Sequence, residues 1–346
     1  MQEARLYEKL EDRKVQCHLC AHRCTIAEGK RGVCLVRENR DGTLYTLVYG
    51  LSISQAIDPV EKKPLFHFYP GSSTFSFATV GCNFRCSFCQ NWQISQTVRD
   101  GGQIEGHEAS PDHLAAAARH YGCKSIAYTY TEPTIFFEYA YDTAVRADRW
   151  GIKSIYVTNG YMTEEMLDAF GRYLHAANVD LKSFSDSFYR KICGARLQPV
   201  LDAIKAMKKR GIWVEITTLV VPGQNDSEEE LRQLAEFIAK EAGVDTPWHV
   251  SRFRPDYKMH NVGPTPLSTL HRAREIGLQA GLRYVYEGNV PGSEGENTYC
   301  YNCHNLLIRR FGFNVLANLV LPDSKCPHCG TTIDGVGLSN KSAFKG

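Results

Sequence analysis

Residues 74–92 read TFSFATVGCNFRCSFCQNW, an apolar strand-like run that leads into three closely spaced cysteines. From this point the chain repeats a unit of about 30 residues, the length of a strand, a crossover helix and their connections. Each unit begins with an apolar run and continues as an amphipathic helical stretch. The predicted strands cover residues 74–80, 125–130, 154–157, 178–181, 212–220, 248–253 and 283–286.

The boundaries of the helical stretches support the same repeat. Capping residues with acidic neighbours precede three of these stretches, at Ser110, Thr163 and Ser227. Glycines suited to the left-handed end of a helix follow five of them: Gly122, Gly151, Gly211, Gly243 and Gly281. This order of elements predicts an α/β fold, a partial TIM-like (β/α)6 barrel over residues 73–292. A doubly wound sheet is the alternative, although no GxGxxG follows the first strand.

Length and charge limit the classes of partner. With 346 residues, 43% of them hydrophobic, the chain is long enough for one large domain and small appendages. A net charge of +2 gives no basic field of the kind that binds nucleic acid. The first residues lack the apolar core of a signal peptide, and no later run approaches the roughly 18 apolar residues of a membrane span. We expect a cytoplasmic protein that binds neither nucleic acid nor membranes.

The 13 cysteines are distributed in a way that predicts metal binding. Disulfides are rare in the cytosol, where clustered cysteines more often hold metals or act in catalysis. Only Cys123 and Cys193 stand alone. The other 11 fall into three sets with ligand-like spacing: Cys17, Cys20, Cys24 and Cys34; Cys82, Cys86 and Cys89; and Cys300, Cys303, Cys326 and Cys329.

The central cysteine set has the spacing CxxxCxxC, with Phe88 directly before its last thiol. Three thiols cannot complete a structural zinc site, which uses four protein ligands. The set therefore holds either a metal with an open position, a zinc ion completed by a distant ligand, or no metal. Active sites of such barrels form where the parallel strands end. Five polar residues follow predicted strands at that rim: Glu132, Asn159, Asp180, Lys182 and Arg252.

The central set resembles the signature of radical S-adenosylmethionine (SAM) enzymes. Residues 132–133, 158–160 and 180–182 (EP, TNG and DLK) are similar to motifs of the activating enzymes of glycyl-radical proteins. More closely, CHLCAHRC at 17–24 and DPVEKKPLFHFYPG at 58–71 resemble the radical SAM enzymes of the AmmeMemoRadiSam system.

This resemblance implies a chemistry for the open position. The three thiolates would hold three irons of a 4Fe-4S cluster, and the fourth iron would bind SAM. The reduced cluster would cleave SAM to a 5′-deoxyadenosyl radical that abstracts hydrogen from a protein or peptide substrate. An external electron donor is then required. The resemblance further implies companion AMMECR-like and Memo-like proteins, with glycyl-radical activation as the alternative reaction.

The resemblance also implies contacts to SAM. Glu132 would accept a hydrogen bond from the amino group of SAM, and the residues that line its methionine and ribose portions would be Asn159, Asp180 and Lys182. Residues 216–218 read ITT where related enzymes commonly have an arginine for the SAM carboxylate. That positive charge would come instead from one of three basic residues: Lys182, Arg252 or Arg254.

The last cysteine set lies in a predicted C-terminal module of residues 293–346 and has the paired CxxC spacing of a zinc ribbon. Four thiolates fill a tetrahedral site, so we predict a structural zinc ion held by Cys300, Cys303, Cys326 and Cys329. A rubredoxin-like iron that relays electrons is the alternative. The sequence between the two pairs, LLIRRFGFNVLANLV, alternates enough to predict short strands.

The first cysteine set lies in a predicted N-terminal module of residues 1–50, which a linker of residues 51–72 joins to the barrel. The spacing of Cys17, Cys20, Cys24 and Cys34 suits zinc or an auxiliary iron–sulfur cluster. Ferredoxin-type runs usually keep three thiols at two-residue spacing, with a fourth that precedes proline. The uneven spacing here therefore favours zinc or mononuclear iron.

Cys193 lies shortly after the fourth predicted strand, near the rim. We predict a catalytic thiol that quenches or receives the radical, or ligates the substrate; a buried, unreactive cysteine is the alternative. Two functions of other classes fit parts of the sequence. One is an electron carrier with several metal centres, and the other is a zinc-ribbon scaffold protein.

Overall fold

The computed structural model describes residues 1–339. Short antiparallel strands form its N-terminal part: β1 (Gln2–Glu3), β2 (Tyr7–Lys9), β3 (Val15–Cys17), β4 (Thr25–Ile26), β5 (Arg37–Arg40), β6 (Thr43–Thr46) and β7 (Leu51–Ser52). The first six pair into two small sheets, with strand orders β1-β6-β5 and β2-β3-β4. The first cysteine set lies between the end of β3 and the start of β5.

Nine further strands follow along the chain. They are β8 (Ser54–Pro59), β9 (Ser73–Ala78), β10 (His107–Glu108), β11 (Ser125–Tyr128), β12 (Lys153–Thr158), β13 (Ala176–Asp180), β14 (Trp213–Val220), β15 (Trp248–Arg252) and β16 (Val285–Gly288). Eight of them form the central sheet in the order β16-β15-β14-β13-β12-β11-β9-β8, while β10 pairs with β7. The strands from β9 to β16 in this sheet are parallel, and β8 pairs antiparallel with β9.

Helices connect the parallel strands and cover the sheet. They are α1 (Trp92–Ser95), α2 (Pro111–His120), α3 (Phe137–Asp148), α4 (Glu164–Phe170), α5 (Asp186–Phe188), α6 (Gln198–Lys209), α7 (Glu228–Phe237) and α8 (Leu267–Gln279). Side chains of Ser110, Thr163 and Ser227 cap α2, α4 and α7, which confirms the three predicted helix starts. None of the helices within residues 1–339 has both the length and the apolar character that a membrane crossing requires.

The predicted partial TIM-like barrel is confirmed. Each predicted strand overlaps an observed one, and their ends differ by one or two residues, as is usual where strands fray into loops. The strand of the central sheet that we did not predict is β8, which lies within the segment expected to be a linker. Its sequence SQAIDP is mostly half-exposed and ends in proline, so it carries little apolar signal. These features suit an edge strand.

Residues 60–68 fill the inside of the barrel below the site. Val60, Leu65 and Phe68 form a small buried cluster with side chains from β11, β12 and β13. The buried carboxylate of Glu215 in β14 accepts hydrogen bonds from the backbone N–H groups of Phe66 (2.9 Å) and His67 (2.7 Å). A buried carboxylate costs free energy unless it is hydrogen-bonded, so these contacts fix the segment inside the barrel.

The C-terminal strands are β17 (Thr298–Tyr299), β18 (Leu306–Phe311) and β19 (Asn314–Asn318), and they pair antiparallel. The last two confirm the strands predicted between the CxxC pairs. Buried Arg310 of β18 donates from Nη2 to the carbonyl of Phe66 at 2.9 Å. This part of the chain therefore packs against the segment that fills the barrel.

Candidate active site

A cavity of about 250 Å³ opens where the parallel strands end. The central cysteine set lines it on one side, in the loop that follows β9. Gly81 begins this loop with φ +95°, and a Cβ there would lie 2.7 Å from Cγ1 of Val36 in the N-terminal part. Only glycine fits this conformation and contact without displacement. The N-terminal strands thus pack directly behind the cysteine loop.

The three thiols of the central set are shielded from solvent. Cys82 and Cys86 are buried, and Cys89 is half-buried. Burial raises the pKa of Cys82 and of Cys89, while the neighbouring thiol of Cys193 and burial raise the pKa of Cys86. Thiols in such surroundings ionise when a metal cation compensates the charge.

The side-chain amides of Asn159 and Gln90 line the same cavity as the thiols. Asn159 donates from Nδ2 to Sγ of Cys82 (3.5 Å) and to Oδ1 of Asn83 (3.3 Å). Gln90 lines the cavity, and its buried Nε2 has no hydrogen-bond partner within residues 1–339. Buried polar groups in folded proteins are almost always satisfied, so this donor fits a cavity that takes a polar ligand.

A charged pair lines the same cavity as the amides. The Nζ of Lys182 is 2.9 Å from Oδ2 of Asp180, and both residues line the cavity. Burial lowers the pKa of Lys182, but the negative charges of Asp180, Cys86 and Cys193 together outweigh burial, so the pKa is raised overall. Lys182 also lies 5.8 Å from the ring centre of Phe88. The cavity thus offers a fixed cation and a carboxylate to a ligand with both charges.

Known proteins share this architecture and sequence. A model of the radical SAM superfamily matches residues 77–237. The chain belongs to the radical SAM superfamily. An uncharacterized protein of Methanocaldococcus jannaschii is 50% identical over 335 residues, which cover 96% of this chain and 99% of the relative. The pyruvate formate-lyase 1-activating enzyme of Escherichia coli is 22% identical over 221 residues, covering 60% of this chain and 89% of that enzyme.

Solved structures agree on the fold. The crystal structure of a radical SAM methyltransferase from Sphaerobacter thermophilus aligns with a TM-score of 0.50 and 17% sequence identity, and the alignment covers 64% of this chain and 68% of that one. The likeness supports the radical SAM barrel and does not extend to the reaction.

Membership of the radical SAM superfamily implies a 4Fe-4S cluster and SAM, and the donor set of this cavity fits both. Among the described residues that line it, the thiols are Cys82, Cys86 and Cys89, with no imidazole beside them. Three thiolates suit a cluster that keeps one iron open. The Lys182–Asp180 pair and the free amide of Gln90 suit the charged amino-acid portion of SAM.

Glu132, predicted to contact SAM, does not line the cavity of this radical SAM protein. Its buried carboxylate accepts hydrogen bonds from the backbone N–H (3.1 Å) and Oγ1 (2.5 Å) of Thr134, from Oγ1 of Thr158 (2.7 Å) and from the backbone N–H of Asn159 (2.7 Å). Four donors leave little capacity for a ligand. Glu132 instead ties the end of β12 to the turn after β11.

Arg252 also points elsewhere. Its Nε donates to the carbonyl oxygen of Thr265 at 2.9 Å, and the residue is absent from the cavity lining. Of the basic residues considered for the SAM carboxylate, Lys182 is the one on the cavity wall. The hydrogen bond to a distant loop, which the sequence does not reveal, decides the direction of the Arg252 side chain.

Cys193 is fully buried and lies behind the cysteine loop, outside the cavity lining. Its carbonyl accepts a hydrogen bond from the backbone N–H of Arg85 at 2.8 Å, and its thiol neighbours Cys86. This position does not support the predicted catalytic role, because the thiol is fully buried and does not line the cavity. It supports the alternative of a buried cysteine that packs against the loop.

Several lining residues were not predicted. Three of them are small polar residues near strand ends: Thr217, Ser251 and Asn289. Polar residues at the ends of parallel strands tend to line the active site, so this rule could have found them. Pro64 gave no such signal, because it reaches the cavity from the segment inside the barrel. The other unpredicted polar residues on the wall are Gln90, Asn91, Ser95, Gln96, Tyr130 and Thr131.

The C-terminal cysteines form a compact metal-binding group. Their four sulfur atoms lie within 4.8 Å of one another, and the Cys300–Cys329 and Cys303–Cys326 sulfur distances are both 3.6 Å. Zinc–sulfur bonds of about 2.3 Å in a tetrahedron place the sulfur atoms about 3.8 Å apart. The group therefore fits a single tetrahedral ion.

Proposed function

We propose that this radical SAM protein cleaves SAM reductively at a 4Fe-4S cluster held by Cys82, Cys86 and Cys89, and abstracts hydrogen from a protein or peptide. When bound, the cluster and SAM supply methionine and a 5′-deoxyadenosyl radical in a one-electron reaction. The observation that carries the proposal is the cavity itself. Three thiols, an amide without a partner and a Lys–Asp pair line it together.

The residues of the chain have separate tasks in this proposal. The thiolates hold three irons, and Asn159 donates to one of the ligating sulfurs. Lys182 pairs with the carboxylate of SAM, because it is the buried cation on the wall, and Asp180 accepts from its amino group. Glu132 keeps Asn159 in place through the backbone N–H bond. Buried strands and the segment below exclude water from the site.

The class of substrate rests on similarity. Pyruvate formate-lyase activating enzymes act on another protein, as their name states, and two of them are 22% and 26% identical to parts of this chain. A protein or peptide segment is therefore our preferred substrate, with a glycyl-radical protein as its narrower form. An external electron donor, and AMMECR-like and Memo-like companions, remain part of the proposal on the sequence resemblance.

We also propose that three regions of the chain have different functions. Residues 73–292 form the catalytic barrel, and a metal module lies on each side of it, in residues 1–50 and 293–346. Residues 340–346 of the second module lie outside the described residues. The compact C-terminal group supports zinc there, in a structural role.

Anaerobic reconstitution with iron and sulfide, followed by reduction and addition of SAM, tests the proposed reaction. We expect 5′-deoxyadenosine and methionine from the unaltered protein and none from Cys86→Ala. Cys123→Ala, which removes a buried thiol outside the three sets, serves as the matched control and should retain the product. Product formation by Cys86→Ala, or none by the unaltered protein with its clusters intact, would refute the proposal and favour an electron carrier or a scaffold.

A further inference from the structure

The N-terminal cysteines surround a second small cavity, separate from the candidate active site. All four sulfur-bearing residues line it, together with Arg37 and several apolar residues. The four lining cysteines are Cys17, Cys20, Cys24 and Cys34. Thiols brought together from one short segment around an internal space are typical of a metal centre.

The spacing of these sulfurs distinguishes a cluster from a single ion. The four sulfur atoms of the C-terminal set all lie within 4.8 Å of one another. Among residues 1–339, no other group of three or more possible metal ligands has its donor atoms this close together. The N-terminal thiols do not reach that spacing, and neither do the three thiols of the central set. A single tetrahedral zinc ion needs sulfur atoms about 3.8 Å apart, whereas a four-iron cluster is larger and holds its cysteines further apart. The N-terminal set therefore resembles the central set and differs from the zinc-like group.

A buried cation beside this cavity matches the charge of a cluster. Arg37 is 1% exposed, and one of its nitrogens, Nη2, pairs with Glu138. Its Nε and Nη1 have no hydrogen-bond partner in the described part of the chain. Unsatisfied buried donors are costly, and donors of a guanidinium bind anions strongly. A tetrathiolate cluster with net negative charge would accept these bonds. The backbone N–H of Val33 already donates to Sγ of Cys24 at 3.5 Å.

The N-terminal cavity lies close to the loop of the central cysteines. The ring nitrogen Nε2 of His22, between Cys20 and Cys24, lies 2.8 Å from the carbonyl oxygen of Asn83. The carbonyl of Cys34 lies 3.2 Å from the Cβ position of Gly81. A centre at the N-terminal cavity would thus be one layer of residues away from the central thiols.

We propose that Cys17, Cys20, Cys24 and Cys34 hold a second four-iron, four-sulfide cluster. This assignment replaces the zinc or mononuclear iron that the uneven spacing of these cysteines favoured. It does not depend on the proposed reaction, since it rests on the thiol spacing and on Arg37.

The test uses the full chain with the central cysteines removed, as the variant Cys82→Ala/Cys86→Ala/Cys89→Ala. After anaerobic reconstitution we expect about four irons and four acid-labile sulfides per chain, and an electron paramagnetic resonance signal on reduction. The unaltered protein should hold about twice these amounts. Adding Cys20→Ser and Cys24→Ser should abolish sulfide and signal, whereas adding Cys123→Ser should leave both unchanged. Sulfide is counted because an iron in the C-terminal group would add iron without sulfide.

Two results would overturn the proposal. One is zinc without sulfide in the triple variant, and the other is an unchanged sulfide content when Cys20→Ser and Cys24→Ser are introduced into the otherwise unaltered protein. The second result decides the matter even if the triple variant does not fold, because loss of a cluster held by the N-terminal thiols would remove about four sulfides per chain. Failure here also differs from failure of the proposed reaction, since 5′-deoxyadenosine formation depends on the central thiols.

Discussion

The side-chain amide of Asn159 lies 3.5 Å from the sulfur of Cys82, at the junction of the turn after β12 and the loop after β9. The backbone N–H of Asn159 donates to Glu132, so the carboxylate that does not line the cavity still fixes a group that does. The contact joins three strand ends at one sulfur atom. It gives a physical route by which buried residues around the cavity would adjust a metal centre held by Cys82.

Removing the amide should change the reduction potential of the centre. A hydrogen bond to a ligating sulfur stabilises the reduced, more negative form of a cluster, so Asn159→Ala should lower the midpoint potential. A redox titration monitored by electron paramagnetic resonance measures the midpoint potential. Asn91→Ala is the control, because Asn91 lines the same cavity and bonds to the thiol of Cys89 through its backbone N–H, which the substitution keeps. Equal potentials in Asn159→Ala and the unaltered protein would contradict the role of this contact.

Glu132→Gln should reduce stability more than SAM affinity. The amide of glutamine cannot accept all four hydrogen bonds of the carboxylate, and a lost buried bond costs about 1–3 kcal/mol. Urea unfolding should report that loss, while the SAM dissociation constant from calorimetry should change by less than about threefold. A large loss of affinity with unchanged stability would instead restore the direct contact expected from the sequence.

Lys182→Met should reduce SAM affinity more than stability. Because a hydrogen bond to a charged group contributes about 1.5–3 kcal/mol, we expect SAM to bind roughly 10- to 100-fold more weakly. The partner Asp180 is partly exposed and stays hydrated without the lysine. Lys205→Met is the matched control, since Lys205 also pairs with an aspartate but lies on the surface of α6. Anaerobic calorimetry on the reconstituted proteins measures the SAM affinity of both variants. Equal SAM affinity in Lys182→Met and the unaltered protein would exclude Lys182 from the site of the SAM carboxylate.

His67 should make the fold sensitive to mild acid. Burial lowers the pKa of His67 to about 4, below its ordinary value of 6.5. Its Nδ1 lies 2.6 Å from the carbonyl of Asp334 and its Nε2 lies 2.5 Å from the hydroxyl of Tyr286. Nδ1 therefore carries the proton and Nε2 accepts, so a second proton would remove the acceptor.

The sign of the effect follows from the lowered pKa. Between pH 6.5 and pH 4 the unfolded chain binds a proton at His67 and the folded chain does not, so stability is complete above pH 6.5 and falls as the pH decreases. Between pH 7 and pH 5 the loss is about 2 kcal/mol. His67→Gln offers a donor and an acceptor without titrating, and its urea-unfolding free energy should lack this part of the decrease. An identical pH dependence in both proteins would show that His67 does not contribute.

Loss of a C-terminal thiol should remove zinc. Cys326→Ser should reduce the zinc content from about one ion per chain to near zero, because structural zinc needs four protein ligands. Binding of such an ion contributes to folding, so amide hydrogen exchange in β17, β18 and β19 should become faster. Cys123→Ser should change neither quantity. Iron in place of zinc, with a rubredoxin-like absorption spectrum, would contradict this prediction and favour the electron-relay alternative.

Some side chains show why the site could be predicted only in part. The rule that polar residues at strand ends face the cavity holds for Asn159, Asp180 and Lys182. It fails for Glu132 and Arg252, which are held by partners on other elements. The sequence contains the position of a residue on its strand, but not the hydrogen bonds that turn its side chain.

The sequence by itself determined the α/β barrel, the starts of α2, α4 and α7, and the three cysteine sets. These features depend on spacing and periodicity among neighbouring residues, which are visible along the chain. The tertiary structure alone decided that Cys193 lies behind the cavity and that residues 60–68 fill the barrel. It also decided that the C-terminal sulfurs converge more closely than the N-terminal ones. The reason is that distances between residues remote in sequence depend on how packed elements meet, and local patterns do not specify those contacts.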